Sequence, residues 1–242
     1  MMESVLNIKG LTKKHFKQTI LEDINLEVGC GKNIGVLGSN ASGKTTLLNV
    51  IAGITRYNAG EVIVCGKPLS PDTKQSVAYL TDRHIFEKWM SIKDCIKLYA
   101  SSFHGFDAAK IETNLGTYGM NSKTKLTELS RGKLEILAVL LTLSRKAKLY
   151  LFDEPLAAVD VAAREKIMGL LVEHMDENCS MMIATHSLKD IGKVFDEVIM
   201  MHEGRILRTV NVEEMKMSEG KSVEEVFKEM FENVYTDAIT GF

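Results

Sequence analysis

Apolar residues along the chain follow two different spacings. Short apolar runs bounded by glycine or polar residues predict strands over 5–9, 21–28, 33–37, 61–65, 77–80, 148–152, 181–185, 198–202 and 205–210. The second of these alternates, with Ile24, Leu26 and Val28 on one face. Helical spacing takes over at 45–52, where Gly53 stands in the position that closes a helix. Ser91 with Asp94 three residues later is an N-cap pair ahead of a helix over 92–103. Weaker periodicity covers 107–119, and Leu134, Leu137, Leu140 and Leu141 form the apolar face of a helix over 132–144. A further helix runs from Val161 to about residue 176, and a last one covers 222–235. Strand–helix alternation thus gives an α/β core over 1–82 and 148–210. A mostly helical insertion at 83–147 interrupts it, and a helical tail at 211–242 follows.

Composition changes this picture little. With 242 residues the chain makes one domain, or one domain with an insertion. No apolar run approaches the ~20 residues that span a bilayer, and Met1-Met2-Glu3-Ser4 opens without the basic-then-apolar pattern of a secretory signal. Cys30, Cys65, Cys95 and Cys179 are far apart, which argues against a zinc site or a disulfide scaffold. They are expected to be reduced and buried, in a cytoplasmic protein. A net charge of −2 speaks against nucleic acid as a partner. Charge is uneven, however. Residues 83–147 carry eleven Lys/Arg against six Asp/Glu, whereas 211–242 carry three against eight. The basic segment either is an ordinary solvated face or lies near anionic lipid or an acidic partner surface.

Chemistry enters at Gly38-Ser39-Asn40-Ala41-Ser42-Gly43-Lys44-Thr45, which fits the G-x-x-x-x-G-K-[ST] phosphate-binding loop. It lies between a buried strand and an apolar helix, as this loop requires. Glycines let successive backbone N–H groups turn toward a phosphate, and the helix N-terminus adds partial positive charge. Lys44 can reach β- and γ-phosphates, and the Thr45 hydroxyl can ligate Mg²⁺. A second acidic element is supplied by Leu149-Tyr150-Leu151-Phe152-Asp153-Glu154, an apolar strand that delivers its acids to the ligand-binding edge of a parallel sheet. Asp153 is placed to hold the Mg²⁺ shell, and Glu154, one residue on, to orient or deprotonate the attacking water.

Leu129-Ser130-Arg131-Gly132-Lys133 opens a helix, with Ser130, which alone would serve as an N-cap, 23 positions before Asp153. Here the chain resembles the nucleotide-binding subunits of ATP-binding cassette (ABC) transporters, whose signature reads Leu-Ser-Gly-Gly-Gln. Leu129, Ser130 and Gly132 match it, and Arg131 and Lys133 depart. The resemblance spans residues 3–210, with the motifs in the family's order. It implies a P-loop NTPase fold with a helical insertion, ATP hydrolysis with Mg²⁺, and a head-to-tail pair of chains. ATP would then lie between residues 38–46, Asp153, Glu154 and His186 of one chain and Ser130 to Gly132 of the other. By the same resemblance Thr46 belongs to the phosphate loop, Asp160 is the acid of the loop after the acidic strand, and His186 contacts the γ-phosphate. His15 or its neighbour Phe16 stacks on adenine.

The resemblance breaks at Tyr79-Leu80-Thr81-Asp82, where the family has glutamine at the last position. Asp82 either ligates Mg²⁺ directly or is a loop acid. Ile85, Phe86, Trp89 and Met90 follow, at the place where the family presents a groove to its membrane permease; burial within the insertion is the alternative. The chain is therefore expected to be the ATPase subunit of a transporter, paired with a like subunit and with a separate permease at the inner face of the membrane. The divergent signature, altered glutamine position and short tail look most like exporters of antimicrobial peptides and drugs. A soluble ABC-type ATPase without a permease, regulatory or ribosome-associated, is the rival.

Overall fold

The computed structural model describes residues 4–82, 86–157, 159–186 and 194–230. Two sheets form its frame. Strands β1 (Ser4–His15), β2 (Gln18–Gly29), β4 (Ala59–Val64) and β5 (Lys67–Pro68) make an antiparallel sheet in the order β2-β1-β4-β5. A six-stranded sheet joins β3 (Asn33–Gly38), β6 (Val77–Leu80), β7 (Leu149–Asp153), β8 (Ser180–Thr185), β9 (Glu197–His202) and β10 (Arg205–Asn211) in the order β10-β9-β3-β8-β7-β6. Only β10 pairs antiparallel in it.

Alternation in the central strands sorts their side chains between two cores. Ile34, Val36, Leu149, Leu151, Met182, Ala184, Ile199 and Met201 pack with the antiparallel sheet and helix α1 (Lys44–Ile51). Tyr150, Phe152, Met181, Ile183, Val198 and Met200 face the other way, onto the helical layer. That layer holds α2 (Ile92–Ser102), α3 (Ala108–Leu115) and α4 (Arg131–Leu143) of the insertion, with α5 (Val161–Glu173). After β10 come α6 (Val212–Glu219) and a helix over 223–230. No helix among the described residues is long and apolar enough to cross a membrane.

Local chemistry explains most boundaries. Ser91 and Asp94 form the expected capping box of α2. Residues 107–119 divide: Asp107 caps α3, which tightens into a 3₁₀ turn at Gly116–Tyr118. The helix α5 stops at Glu173, short of residue 176, because Asp176 instead accepts from the N–H of Asn178 in the following turn. Strands β1 and β2 run on to His15 and Gln18, carried by the burial of Leu11 and by bulges in their register. Helix α6, absent from the hydrophobic pattern, rests on Asn211, whose side chain accepts from the N–H groups of Glu213 and Glu214. The expected last helix is seen up to residue 230; 231–235 lie outside the described residues. All four cysteines are free, yet only Cys95 is fully buried. Cys30 follows β2 in a turn, and Cys65 occupies a turn at φ 49, so the chain's reversals keep both near solvent.

Candidate functional site: a phosphate loop faced by a carboxylate strand

Strands β3, β6, β7 and β8 are parallel and end along one edge, which gathers the loop 39–43, Asp82, Asp153, Glu154 and His186 there. Gly43 adopts φ 105, closed to L side chains, and a Cβ on it would come within 2.8 Å of Leu21. The loop therefore lies tight against β2. Its Lys44, only 6% exposed, donates from Nζ to the carbonyls of Gly38 at 2.8 Å and Ser39 at 3.0 Å. Burial lowers the pKa of this ammonium, while Glu154 and Asp153 favour its charge.

Asp153 continues the inner face of β7 toward the start of α1 and is 1% exposed. The Thr45 and Tyr79 hydroxyls lie beside its carboxylate. Among the described residues, however, neither carboxylate oxygen completes a hydrogen bond of good geometry, and the buried Tyr79 hydroxyl and Ser42 Oγ are equally unpartnered. Burial pushes the Asp153 carboxyl above the usual range; the Thr45 hydroxyl opposes this, Asp82 and Glu154 add to it, and Lys44 offsets part. A buried carboxylate without a partner is costly. Together with a hydroxyl on its flank it suits a hard cation with oxygen ligands. No three of the described His, Cys, Asp and Glu side chains converge as a metal site on their own. A cation held here would draw most of its ligands from phosphate and water, as Mg²⁺ does.

Glu154 turns the chain sharply out of β7 at φ 52, a left-handed conformation unusual for a non-glycine residue. Its N–H donates to the Ala184 carbonyl at 2.9 Å, which pins it to the end of β8. Its Oε1 lies 2.7 Å from His186 Nδ1, so the two residues expected to act on water and γ-phosphate form one pair. Beside them is an open cavity of about 430 Å³ lined by Asn40 to Thr46, Asp82, Glu154, Gln18 and Ile20. Gln18 and Ile20 escape sequence reasoning, since only the return of β2 across the loop brings them there. Asp82, exposed in the loop after β6, lines the same cavity. His15 and Phe16 form the tip of the β1–β2 hairpin, with ring centroids 4.7 Å apart and edge to face. Phe16 is 92% exposed at φ 50, an aromatic face that nothing in the described chain covers.

Ser130, Gly132 and Asp160 are gathered elsewhere and do not line that cavity. Ser130 caps α4 by accepting from the Lys133 N–H at 3.3 Å, and Asp160 caps α5 by accepting from the Ala163 N–H at 2.8 Å. A Cβ on Gly132 would meet that of Ala163 at 2.7 Å, so glycine is what lets α4 approach α5. Lys133, one of the two departures from the signature, ties α4 to the insertion through a 2.8 Å bond from Nζ to the Gly119 carbonyl. The apolar stretch after Asp82 is split: Met90 is buried, Phe86 packs against the core, and Trp89 is 71% exposed. Ile85 lies outside the described residues.

A parallel sheet, a strand–glycine loop–helix cradle and a neighbouring strand ending in acids together define a P-loop nucleotide hydrolase. Within that class the chain belongs to the ABC transporter family, whose profile matches residues 21–157. It is 25% identical to the ABC transporter ATP-binding protein YtrB of Bacillus subtilis, over 88% of this chain and 74% of the relative. The manganese transport ATP-binding protein MntB of Listeria innocua is 27% identical over 89% of this chain and 96% of its own. The lantibiotic transport ATP-binding protein SrtF of Streptococcus pyogenes is 24% identical over 84% and 89%. Among solved structures, an ATP binding subunit of an ABC transporter superposes with a TM-score of 0.82 at 21% identity, covering 94% of this chain and 99% of that one. The protein is thus an ABC-type ATPase that binds ATP, of a family whose cassettes dimerise and work with transmembrane partners.

Proposed function

We propose that this chain powers a separate permease by closing on ATP against a second nucleotide-binding subunit at the cytoplasmic face of the membrane. The observation that carries the reading is the division of the chemistry into two places. The phosphate loop and Glu154 line one cavity, with Asp153 buried beside Thr45 and His186 paired to Glu154, while Ser130 and Gly132 stand outside it. In a head-to-tail pair, Ser130 and Gly132 of the partner's signature would complete each cavity.

In this reading the loop amides of residues 39–46 and the Lys44 ammonium bind the β- and γ-phosphates, and Lys44 gives up its two loop carbonyls to do so. Phe16 or His15 holds the adenine by stacking. Thr45 and Asp153, with Asp82 at the rim, would hold Mg²⁺, which when bound neutralises phosphate charge. Glu154 accepts the proton of the attacking water, and His186, paired to its Oε1, orients that carboxylate and reaches the γ-phosphate. Loss of the bridging phosphate then reopens the pair. The permease would enter the apolar cavity of about 250 Å³ between core and insertion, lined by Ile54, Leu80, Phe86, Tyr99 and Phe103. Glu154→Gln tests the mechanism: the amide keeps the shape but takes no proton. Turnover should fall by about 10²–10⁴-fold, with an ATP-bound dimer accumulating in size-exclusion runs. Wild-type turnover would remove Glu154 as the base.

For the cargo, we infer export of peptides or drugs from the divergent signature and Asp82. Manganese and lantibiotic transport ATPases both resemble the chain, at 27% and 24% identity, so the inference rests on those motifs and not on the relatives. Efflux of such compounds by vesicles containing the complex supports the inference, and metal uptake in their place overturns it.

A further inference from the structure

The positive excess of the insertion has a definite address. Segments 88–93 and 122–126 run antiparallel, joined by N–H donation from Ile92 to Thr124 O at 3.0 Å, Lys93 to Ser122 O at 2.8 Å and Leu126 to Met90 O at 2.9 Å. This sets Lys88, Lys93, Lys123 and Lys125 on one exposed strip, with Lys97 one turn beyond Lys93 on α2. Trp89, the single tryptophan of the chain, projects from the turn closed by the Met90 N–H on Glu87 O. It is 71% exposed and lines neither the nucleotide cavity nor the apolar cavity assigned to the permease.

Among the described residues, none of these five ammonium groups makes an ion pair or hydrogen bond. By contrast, Lys133 of the insertion is engaged on Gly119, and Arg145 is stacked 3.7 Å over the Phe103 ring. Three acids share the strip. Glu87 and Glu128 are exposed, but the Asp94 carboxylate is turned onto Ser91, accepting from its N–H at 2.9 Å and its hydroxyl at 2.6 Å. Five lysines against three carboxylates, with Asp94 held in its charged form by Ser91 and by Lys97 and Lys93, still leave the surface positive.

We propose that Trp89 and the lysines around it form a contact for anionic phospholipid headgroups. An indole is at home where an apolar layer meets water, and juxtaposed lysines attract the phosphates of such a surface. A protein partner would be expected to offer Trp89 a pocket and the lysines fixed carboxylates. Ammonium groups without fixed partners on an exposed strip instead match a fluid layer of phosphates. The location depends on the proposed work beside a permease, but the binding does not, so the two ideas fail separately.

Because Trp89 is the only tryptophan, its fluorescence reports on the contact in the unmodified full chain. Phosphatidylglycerol vesicles should shift its emission to the blue and expose it to quenching by brominated lipid, with no such change for phosphatidylcholine vesicles. The shift should disappear in 0.5 M salt, where charges are screened beyond about 4 Å. Lys93→Gln and Lys123→Gln should each lower sedimentation with anionic vesicles about fivefold, and leave ATP binding unchanged. Trp89→Ser should weaken sedimentation while its lysines keep the salt dependence. Equal binding to both lipids, or none to either, overturns the proposal. An emission change that requires reconstituted permease in neutral lipid also overturns it and assigns Trp89 to a protein contact.

Discussion

The phosphate-loop half of the site and the signature half are built on opposite terms. Around Asp153 the chain accepts costs that its own contacts do not offset. These are a buried carboxylate that completes no hydrogen bond of good geometry among the described residues, a left-handed Glu154 worth on the order of 1 kcal/mol of strain, and a buried lysine. Around Ser130 nothing is strained: Ser130 and Asp160 cap their helices, and Gly132 packs on Ala163. The first half is therefore shaped for a ligand already, and its cost is offset when phosphate and a cation arrive. The second is a well-satisfied helix start, which in the proposed pair gains a phosphate only when another chain presents one. On the proposed two-chain reading, binding belongs to one chain, whereas turnover needs two.

The sharpest way to break this comparison is Ser130→Arg. A large cation at the helix start should leave ATP affinity of the single chain within error and stop ATP-driven dimerisation, taking turnover down with it. Since the change also removes an N-cap worth about 1 kcal/mol, Ser130→Asp serves as the folded control. It keeps the cap and should still repel the partner's γ-phosphate. A dimer that forms normally with both variants would sink the two-chain site. Mixing Ser130→Arg with Lys44→Ala chains sharpens the point, because one pairing assembles a site with both halves intact and should recover part of the turnover.

Lys44→Ala strikes the first half alone. It removes a charge-assisted contact of roughly 1.5–3 kcal/mol, so nucleotide affinity measured by calorimetry should fall by about ten- to a hundredfold. Unchanged affinity would mean the phosphates lie elsewhere.

The same asymmetry governs what can be read from sequence. The loop 38–45, the acidic strand and the Ser91 capping box depend on neighbours within a few positions, so spacing alone exposes them. Gln18 and Ile20 reach the cavity only because β2 folds back over the loop, and no local pattern announces a long-range return. The outer half of β1 is hidden for a similar reason: bulges between Ile8 and Lys14 break the alternation and make the strand look shorter than it is. Helix α6 carries an Asn cap and two acids in its first turn but too weak an apolar stripe to stand out. The Glu154–His186 pair joins residues 32 positions apart, so spacing could propose each residue but not their contact.

Asp82 is where the comparison is most finely balanced, and it should give the smallest effect. It replaces the family's glutamine, lines the nucleotide cavity and lies close enough to Asp153 to raise that carboxyl further. If its oxygen joins the metal shell, Asp82→Gln removes an anionic ligand. The Mg²⁺ concentration for half-maximal turnover should then rise a few-fold, by the weakening of a partly exposed charge contact. ATP affinity without metal should rise slightly, because one charge repelling the triphosphate is gone. Both changes have the same origin and must appear together. A change in metal-free affinity alone would place Asp82 near the phosphates but outside the shell. Coincident Mg²⁺ titrations of the two proteins would retire it as a ligand, leaving Thr45 and Asp153 as the protein's share of the shell. Asp82 also begins the stretch leading to Phe86 and the permease cavity, so the substitution should alter permease-stimulated turnover more than basal turnover. Equal effects on both would confine its role to the nucleotide.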